Sequence, residues 1–353
     1  MQMEVEGTMK KIIKKLLKKE EAPAIPSRIT TETIAEHREQ ILAGGRRFKY
    51  PLQYSRHKLV FNAIIISVVA LLLIVLFGWW RLYIVQDTGD FIYRVTRVVP
   101  VPVAKVDGQP VSYSDYLMAF RSSVYYVEQK EQLNIKTDDG KKKVAYYKQQ
   151  SMQGVLADAY AKKIARELSI TLTDAELEAF LKEQRQSSNG EISQQTYDAS
   201  TLEFFGLSPE EYKHRFSNVL LRYKVEYAVD KQALIVANSI IESARSGASI
   251  DFGALASSSA TKYGVGAVYG TSGWVYKTNQ DGGLAANAAK LSKGQVAPGL
   301  VKSSRGTGYY ILRLVDINDT QVSYEYINVP LSEFATRLSK VLDSNKTKKY
   351  IKL

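Results

Sequence analysis

The sequence predicts an α+β chain with one transmembrane helix, an all-helical domain beyond it, and a further domain in which a small antiparallel sheet is flanked by helices. Three observations predict this. Leu59 to Trp80 form a run of 22 residues without a charge. From Val103 to Asp230 apolar residues recur at spacings of three and four, punctuated by helix-capping signals. Beyond residue 300 two short alternating runs, GTGYYILRL and VSYEYINV, replace the helical period. With 353 residues, 45% hydrophobic and 24% charged, the chain can bury a real core, and disorder of the whole is excluded. The absence of cysteine excludes disulfides, thiolate metal sites and cysteine nucleophiles.

Residues 1–58 read as a basic cytoplasmic tail, with 13 Lys and Arg against 7 acidic residues. Within it MKKIIKKLLKKEE (Met9 to Glu21) sets Ile12, Ile13, Leu16 and Leu17 against a lysine face. That pattern suits an anionic membrane surface; a solvated helix and nucleic-acid contact fit the same residues, and no nucleic-acid partner is expected. After the APAIPS linker, Thr33 and Glu36 suggest a capping box opening a short helix that carries Ile34, Ile41 and Leu42 and stops at Gly44-Gly45. His37 and His57 have no second ligand at metal spacing, and no metal or cofactor is expected anywhere in the chain.

The run 59–80 has the length that crosses a hydrocarbon core of ~30 Å as a helix. It starts too late and ends in Gly78-Trp79-Trp80-Arg81, unlike a cleaved signal peptide. Arg46, Arg47, Lys49, Arg56 and Lys58 crowd its N-terminal flank, so the positive-inside bias predicts a cytoplasmic N-terminus and an extracytoplasmic bulk. Residues 81–102 read as a linker.

The helical domain is expected over 103–230. VAKVDGQPVSYSDY gives a short strand, an Asp107-Gly108 turn and a helix capped by Ser112 or Ser114, continued by Leu117, Phe120, Val124 and Val127. After a break at KTDDGKKK, Met152, Leu156, Tyr160, Ile164 and Leu168 repeat every fourth residue. Thr173 and Glu176 box the next helix, which carries Leu177, Phe180 and Leu181. In GLSPEEY, Gly206 ends one helix, and Ser208, Pro209 and Glu211 open another that carries Tyr212, Phe216, Val219, Leu220 and Tyr223. His214 reads as a lone surface residue. The order of these motifs resembles the N-terminal chaperone domain of the SurA, PpiD and PrsA foldases. The resemblance implies binding of unfolded or newly exported polypeptides.

Over 231–330 an amphipathic helix (Leu234, Ala237, Ile241, Ala244) ends at Gly247, and DFGALA opens another. A glycine-rich loop, GVGAVYG (Gly264 to Gly270), then leads to SGWV, LSKGQVAPGLV and GTGYYILRLVD. Phe252, Leu255, Ala256, Gly273, Trp274, Gly294, Val296, Pro298, Gly308, Tyr309, Ile311 and Leu314 match the elements of the parvulin (PpiC-type) prolyl isomerases, which this segment resembles. Tyr310 stands where that family has its strand histidine. The family's first strand is missing from its usual place, and no histidine occurs after His214. VSYEYINV (322–329) can pair antiparallel with Tyr309 to Ile317, and its Tyr326 resembles the first-strand histidine position. A circular permutation that moves the first strand to 322–329 would bring Tyr310 and Tyr326 together; an ordinary added hairpin is the alternative.

No catalytic residue is assigned beyond Tyr310 and Tyr326 at the family's positions. The substrate-binding candidates are Tyr310, Tyr326, Trp274, Leu284 and Leu291, with a shallow prolyl pocket because DGGLAANAAKL offers only Leu284 among small residues. Residues 331–353 read as a C-terminal helix and tail. The expected function is a membrane-anchored chaperone that holds extended chains in an apolar cleft between the helical domain and a weak or inactive isomerase-like domain. A working isomerase that uses tyrosines, and a non-catalytic module of a membrane complex, are the alternatives.

Overall fold

The computed structural model describes residues 30–49, 51–187, 190–246, 250–264 and 266–353. The chain divides into two units at Gly78/Trp79. The basic amphipathic stretch Met9–Glu21 lies outside the described residues.

The first unit carries α1 (Thr31–Lys49) and α2 (Pro51–Trp79). Helix α1 opens earlier than the Thr33–Glu36 pattern implies. The Thr30 carbonyl accepts from the Ile34 amide (3.1 Å), and the Thr33 hydroxyl accepts from the Thr30 amide (2.9 Å). The helix also runs through Gly44-Gly45 instead of stopping there. Glycine ends a helix by taking a left-handed turn, and Gly44 is not among the glycines with positive φ. Ile34, Ile41 and Leu42 are all exposed. Lys58–Val85 is the one helix among the described residues long and apolar enough to cross a membrane, with mean hydropathy 3.1.

The second unit begins with a π-helical segment, Trp80–Val85, followed by α3 (Asp90–Val98). Residues 81–102, expected as a linker, are structured: Leu82, Ile92, Tyr93 and Thr96 are buried. The Tyr113 hydroxyl donates to the Leu82 carbonyl (2.7 Å) and that of Tyr83 to the Pro102 carbonyl (2.7 Å). Strands β1 (Pro102–Val106) and β2 (Gln109–Ser112) form a hairpin whose turn residues Asp107 and Gly108 both have positive φ, 43° and 85°, as a type I′ turn requires.

Ser112 caps α4 (Tyr113–Gln129), accepting from the Asp115 amide. The next helix, α5 (Asp138–Glu167), starts inside the segment read as a break, because Thr137 caps it by accepting from the Gly140 amide (3.2 Å). Gly140 is required there, since a Cβ would sit 2.2 Å from the Asn134 carbonyl oxygen. Met152, Leu156, Tyr160 and Ile164 are buried, whereas Leu168, at the cap, is half exposed. Both capping boxes form: Thr173/Glu176 opens α6 (Asp174–Gln184), and Ser208/Glu211 opens α8 (Pro209–Val229) with Pro209 in its first turn. Between them lie a two-residue hairpin, β3 (Gln186–Ser187) and β4 (Gly190–Glu191), and α7 (Gln194–Phe205), closed by left-handed Gly206 (φ 64°).

The polypeptide then leaves this core for α9 (Lys231–Arg245), α10 (Phe252–Tyr263), β5 (Val268–Tyr276), α11 (Leu284–Ala288), β6 (Val301–Lys302), β7 (Tyr309–Ile317) and β8 (Gln321–Val329). The four strands form one antiparallel sheet in the order β5-β8-β7-β6. Strand alternation divides its faces. Tyr309, Ile311, Ile327 and Val329 join the core of α9 and α10, whereas Leu312, Leu314, Val322 and Tyr324 pack with Leu284, Ala285 and Ala288 of α11. Gly270, read as loop, lies in β5, where a Cβ would come within 2.6 Å of the Tyr326 ring.

Residues 331–353 are more than a helix and tail. Helix α12 (Glu333–Leu342) and strand β9 (Thr347–Lys349) return to the first core. Phe334 packs on Tyr160 (ring centroids 5.7 Å), Ile351 is buried, and β9 pairs antiparallel with β1. Outgoing and returning strands of the chain meet at Asp230. Its buried carboxylate accepts from the Ala233 amide (2.9 Å) and from the amides of Ser332 (2.7 Å) and Glu333 (3.0 Å).

Candidate functional site

The β7/β8 ladder sets Tyr310 opposite Asn328 and Leu312 opposite Tyr326, so the two candidate tyrosines are diagonal neighbours on one face of the sheet. Their rings lie 5.5 Å apart at 58°, and Tyr324 extends the row with its ring 6.2 Å from that of Tyr326. Each hydroxyl of the outer pair has its own partner. Tyr310 shares a hydrogen bond with Thr307 Oγ1 (3.0 Å), and Tyr324 donates to Asp281 Oδ2 (2.7 Å). Asp281 also accepts from the Leu284 and Ala285 amides, which ties the tyrosine row to the start of α11. Burial, helped by the Asp281 carboxylate, pushes the Tyr324 phenol far above its ordinary value.

Of the other candidates, Leu284 and Leu291 are buried in the same cluster that Tyr310 and Tyr326 pack against, so they serve the core beneath the tyrosines. Trp274 is half exposed on edge strand β5, where its neighbour Val275 is the residue that joins the cluster. The ensemble is aromatic, with hydroxyl hydrogen-bonding groups and no imidazole. It can pack against a prolyl ring and exchange hydrogen bonds through its hydroxyls.

The lobe is fastened to the helical domain through polar contacts. Thr278 donates to the Ser187 carbonyl (2.8 Å), Gln280 to the Gln184 carbonyl (2.9 Å), and Ser304 to Glu183 (2.6 Å). Three cavities lie in the helical domain. One of about 720 Å³ is lined by α3, α4 and the α7–α8 junction, with Tyr93, Arg97, Arg121, Tyr125, Phe205 and Glu211 on its walls. The capping-box glutamate has a second task here. Glu211 Oε2 accepts from the Ser208 amide (2.8 Å), while its Oε1 accepts from the Tyr93 hydroxyl (2.6 Å) with Arg97 at 3.7 Å. Burial and the Glu211 carboxylate raise the Tyr93 phenol well above its usual range. The Arg121 guanidinium stacks over the Tyr93 ring at 4.8 Å and pairs with Asp90. A neighbouring cavity of about 470 Å³ shares Tyr93, Arg97 and Glu211 and reaches His214. His214 is not alone, for its Nε2 lies 2.9 Å from Asp115 Oδ1. Burial works to raise the Asp115 carboxyl, but His214 and Lys162 outweigh it and hold the group below its ordinary value.

A third cavity, about 370 Å³, is lined by Asp115, Asp158, Arg215 and Arg222. Asp158 pairs with Arg222 at 2.5 Å, and Glu226 stands 3.5 Å from the same guanidinium. Burial nevertheless dominates: it raises the Asp158 carboxyl and pushes Glu226 up to about 7, although Arg222 pulls both down.

The sequence reading missed the residues of the 720 Å³ cavity that come from 81–102. The signal was present, because Ile92, Tyr93 and Thr96 fall on one side of a helix, but the alternating Arg94 and Arg97 masked it.

Residues 52–226 match the family model of the SurA-like N-terminal domain, a match that runs from the apolar helix through most of α8. No curated protein and no solved structure gives a significant match to the chain. The family match points to a chaperone-type function and to polypeptides as what the helical domain binds.

Proposed function

We propose that this chain is a membrane-anchored extracytoplasmic chaperone that binds unfolded exported polypeptides, with a parvulin-like lobe weak or inactive in prolyl isomerisation. The observation that carries the reading is the SurA-like match over residues 52–226, which spans the apolar helix and the helices that enclose the cavities. Those cavities mix rings with guanidinium and carboxylate groups, a lining that can hold varied side chains of an extended segment without selecting one sequence. The basic flank before Leu59 supports a cytoplasmic N-terminus.

In the lobe, β8 takes the inner place between β5 and β7, which favours reading it as the parvulin first strand moved to the end of the domain. Tyrosines then stand at both histidine positions. The close Tyr310–Tyr326 ring pair is the one observation that favours a second reading, an isomerase that works by packing a twisted prolyl amide in an aromatic site.

The test uses the full chain in detergent or nanodiscs and two measurements, suppression of aggregation of an unfolded client and acceleration of a proline-limited refolding. The proposal expects suppression with little acceleration, unchanged in Tyr310→Phe. Acceleration abolished by Tyr310→Phe would replace it with the second reading, and failure of both measurements would end both.

A further inference from the structure

Helix α3 has two apolar faces, and the core uses only one. Ile92, Tyr93 and Thr96 are buried, whereas Phe91 (75% exposed), Val95 and Val98 (82% exposed) follow at i, i+4 and i+7 on the outward side, with exposed Arg94 and Arg97 flanking them. Ile84 and Val85, just upstream, are exposed as well. Val99 is exposed too, and along the chain the next exposed large apolar side chain is Tyr146.

Position in the chain says what covers it. Leu82, two residues beyond Trp80, is already buried in the helical core, so the chain enters that core within a few residues of the apolar run. A chain extends at most about 3.5 Å per residue, which keeps the whole of α3 within reach of the place where the apolar helix leaves the hydrocarbon. Phenylalanine and valine on one stripe with Arg94 beside them are the side chains of a helix that lies flat at the polar–apolar boundary, the guanidinium reaching lipid phosphates.

We propose that α3 is an interfacial helix whose Phe91–Val95–Val98 stripe rests in the outer surface of the same bilayer. This inference rests on the reading of Leu59–Trp80 as membrane-spanning. Because Asp90, Tyr93, Arg94 and Arg97 of α3 also line the 720 Å³ cavity, this placement brings that cavity beside the lipid.

The chain has no cysteine, so single labelling sites are clean. Ala70→Cys in the apolar helix, Phe91→Cys and Val98→Cys on the stripe, and Ile235→Cys on the exposed side of α9 are each labelled with an environment-sensitive fluorophore. The full chain is reconstituted in nanodiscs of phosphatidylcholine and phosphatidylglycerol, with and without spin-labelled lipid. The inference expects lipid quenching at 70, 91 and 98 and none at 235. Quenching at 70 without quenching at 91 and 98 overturns it alone, and so does a blue-shifted, unquenched label at 98, the sign of a protein partner. Equal quenching at 235 overturns the assignment of the contact to α3. Absence of quenching at 70 removes the anchoring reading and this inference with it.

Discussion

Asp230→Ala removes the one carboxylate that holds both crossings between the helical core and the lobe. Three backbone amides lose their acceptor: Ala233 at the start of α9, and Ser332 and Glu333 at the start of α12. The carboxylate is 3% exposed, so water cannot readily take its place. Loss of a capping acceptor costs about 1 kcal/mol per helix end, and more where the acceptor is charged and buried, so the three bonds together amount to ~3 kcal/mol, or roughly a 150-fold shift in the local opening equilibrium. Asp230→Asn retains one oxygen acceptor but turns an NH₂ group toward amides that also donate, so it should fall between the alanine variant and wild type. Hydrogen–deuterium exchange on the full chain reads this directly. Amides of residues 331–342 should lose protection by about two orders of magnitude, while those of α5 change far less. Wild-type protection of 331–342 in a folded Asp230→Ala chain would refute the view that this carboxylate joins the two crossings.

Three further outcomes are expected. The folded chain holds a proton on Glu226 up to about 7 against an ordinary value of 4.5, so the folded state binds more protons in that window and stability falls as pH rises from 4.5 to 7, by at most roughly 3 kcal/mol; denaturant midpoints of Glu226→Gln should lose this slope relative to wild type. Gly308→Ala forces a Cβ to within 2.3 Å of the Val329 carbonyl oxygen at φ +129°, and should destabilise the lobe by ~3 kcal/mol or more, seen as early loss of sheet signal on thermal unfolding. Phe334→Ala, which empties the ring site against Tyr160, should lower stability by ~3–4 kcal/mol and expose the β1–β9 edge to exchange.

What the sequence made legible was local. Thr173/Glu176 and Ser208/Glu211 announce their helices because a capping box is closed within four residues, and both form as read. The antiparallel partner of Tyr309–Ile317 was legible for the same reason, since alternation and a short NDTQ turn leave VSYEYINV one natural neighbour. The break before α5 was placed too late because the Lys-rich DDGKKK has the composition of a loop, whereas a threonine cap and a glycine clearance decide where the helix begins. Nothing near His214 in sequence points to Asp115, which lies 99 residues away. Residues 81–102 and 331–353 are too short to enclose a core of their own; each is structured by surfaces supplied from far along the chain, such as the Tyr83 ring set edge-on against both Tyr113 and Tyr350. The tyrosine pair was foreseeable as a juxtaposition, but its chemistry depends on what enters the site, which neither strand encodes.

Pairing of β9 with β1 joins residues separated by some 240 positions. Synthesis from the N-terminus delivers Pro102–Val106 early and Thr347–Lys349 late, so the β1–β2 hairpin waits with one edge unpaired while everything between them is made. Closing so large a loop is slow, and an open strand edge invites other chains. Completion of the first core thereby waits until Thr347–Lys349 have been made, and a translation product stopped short of them would keep that edge open.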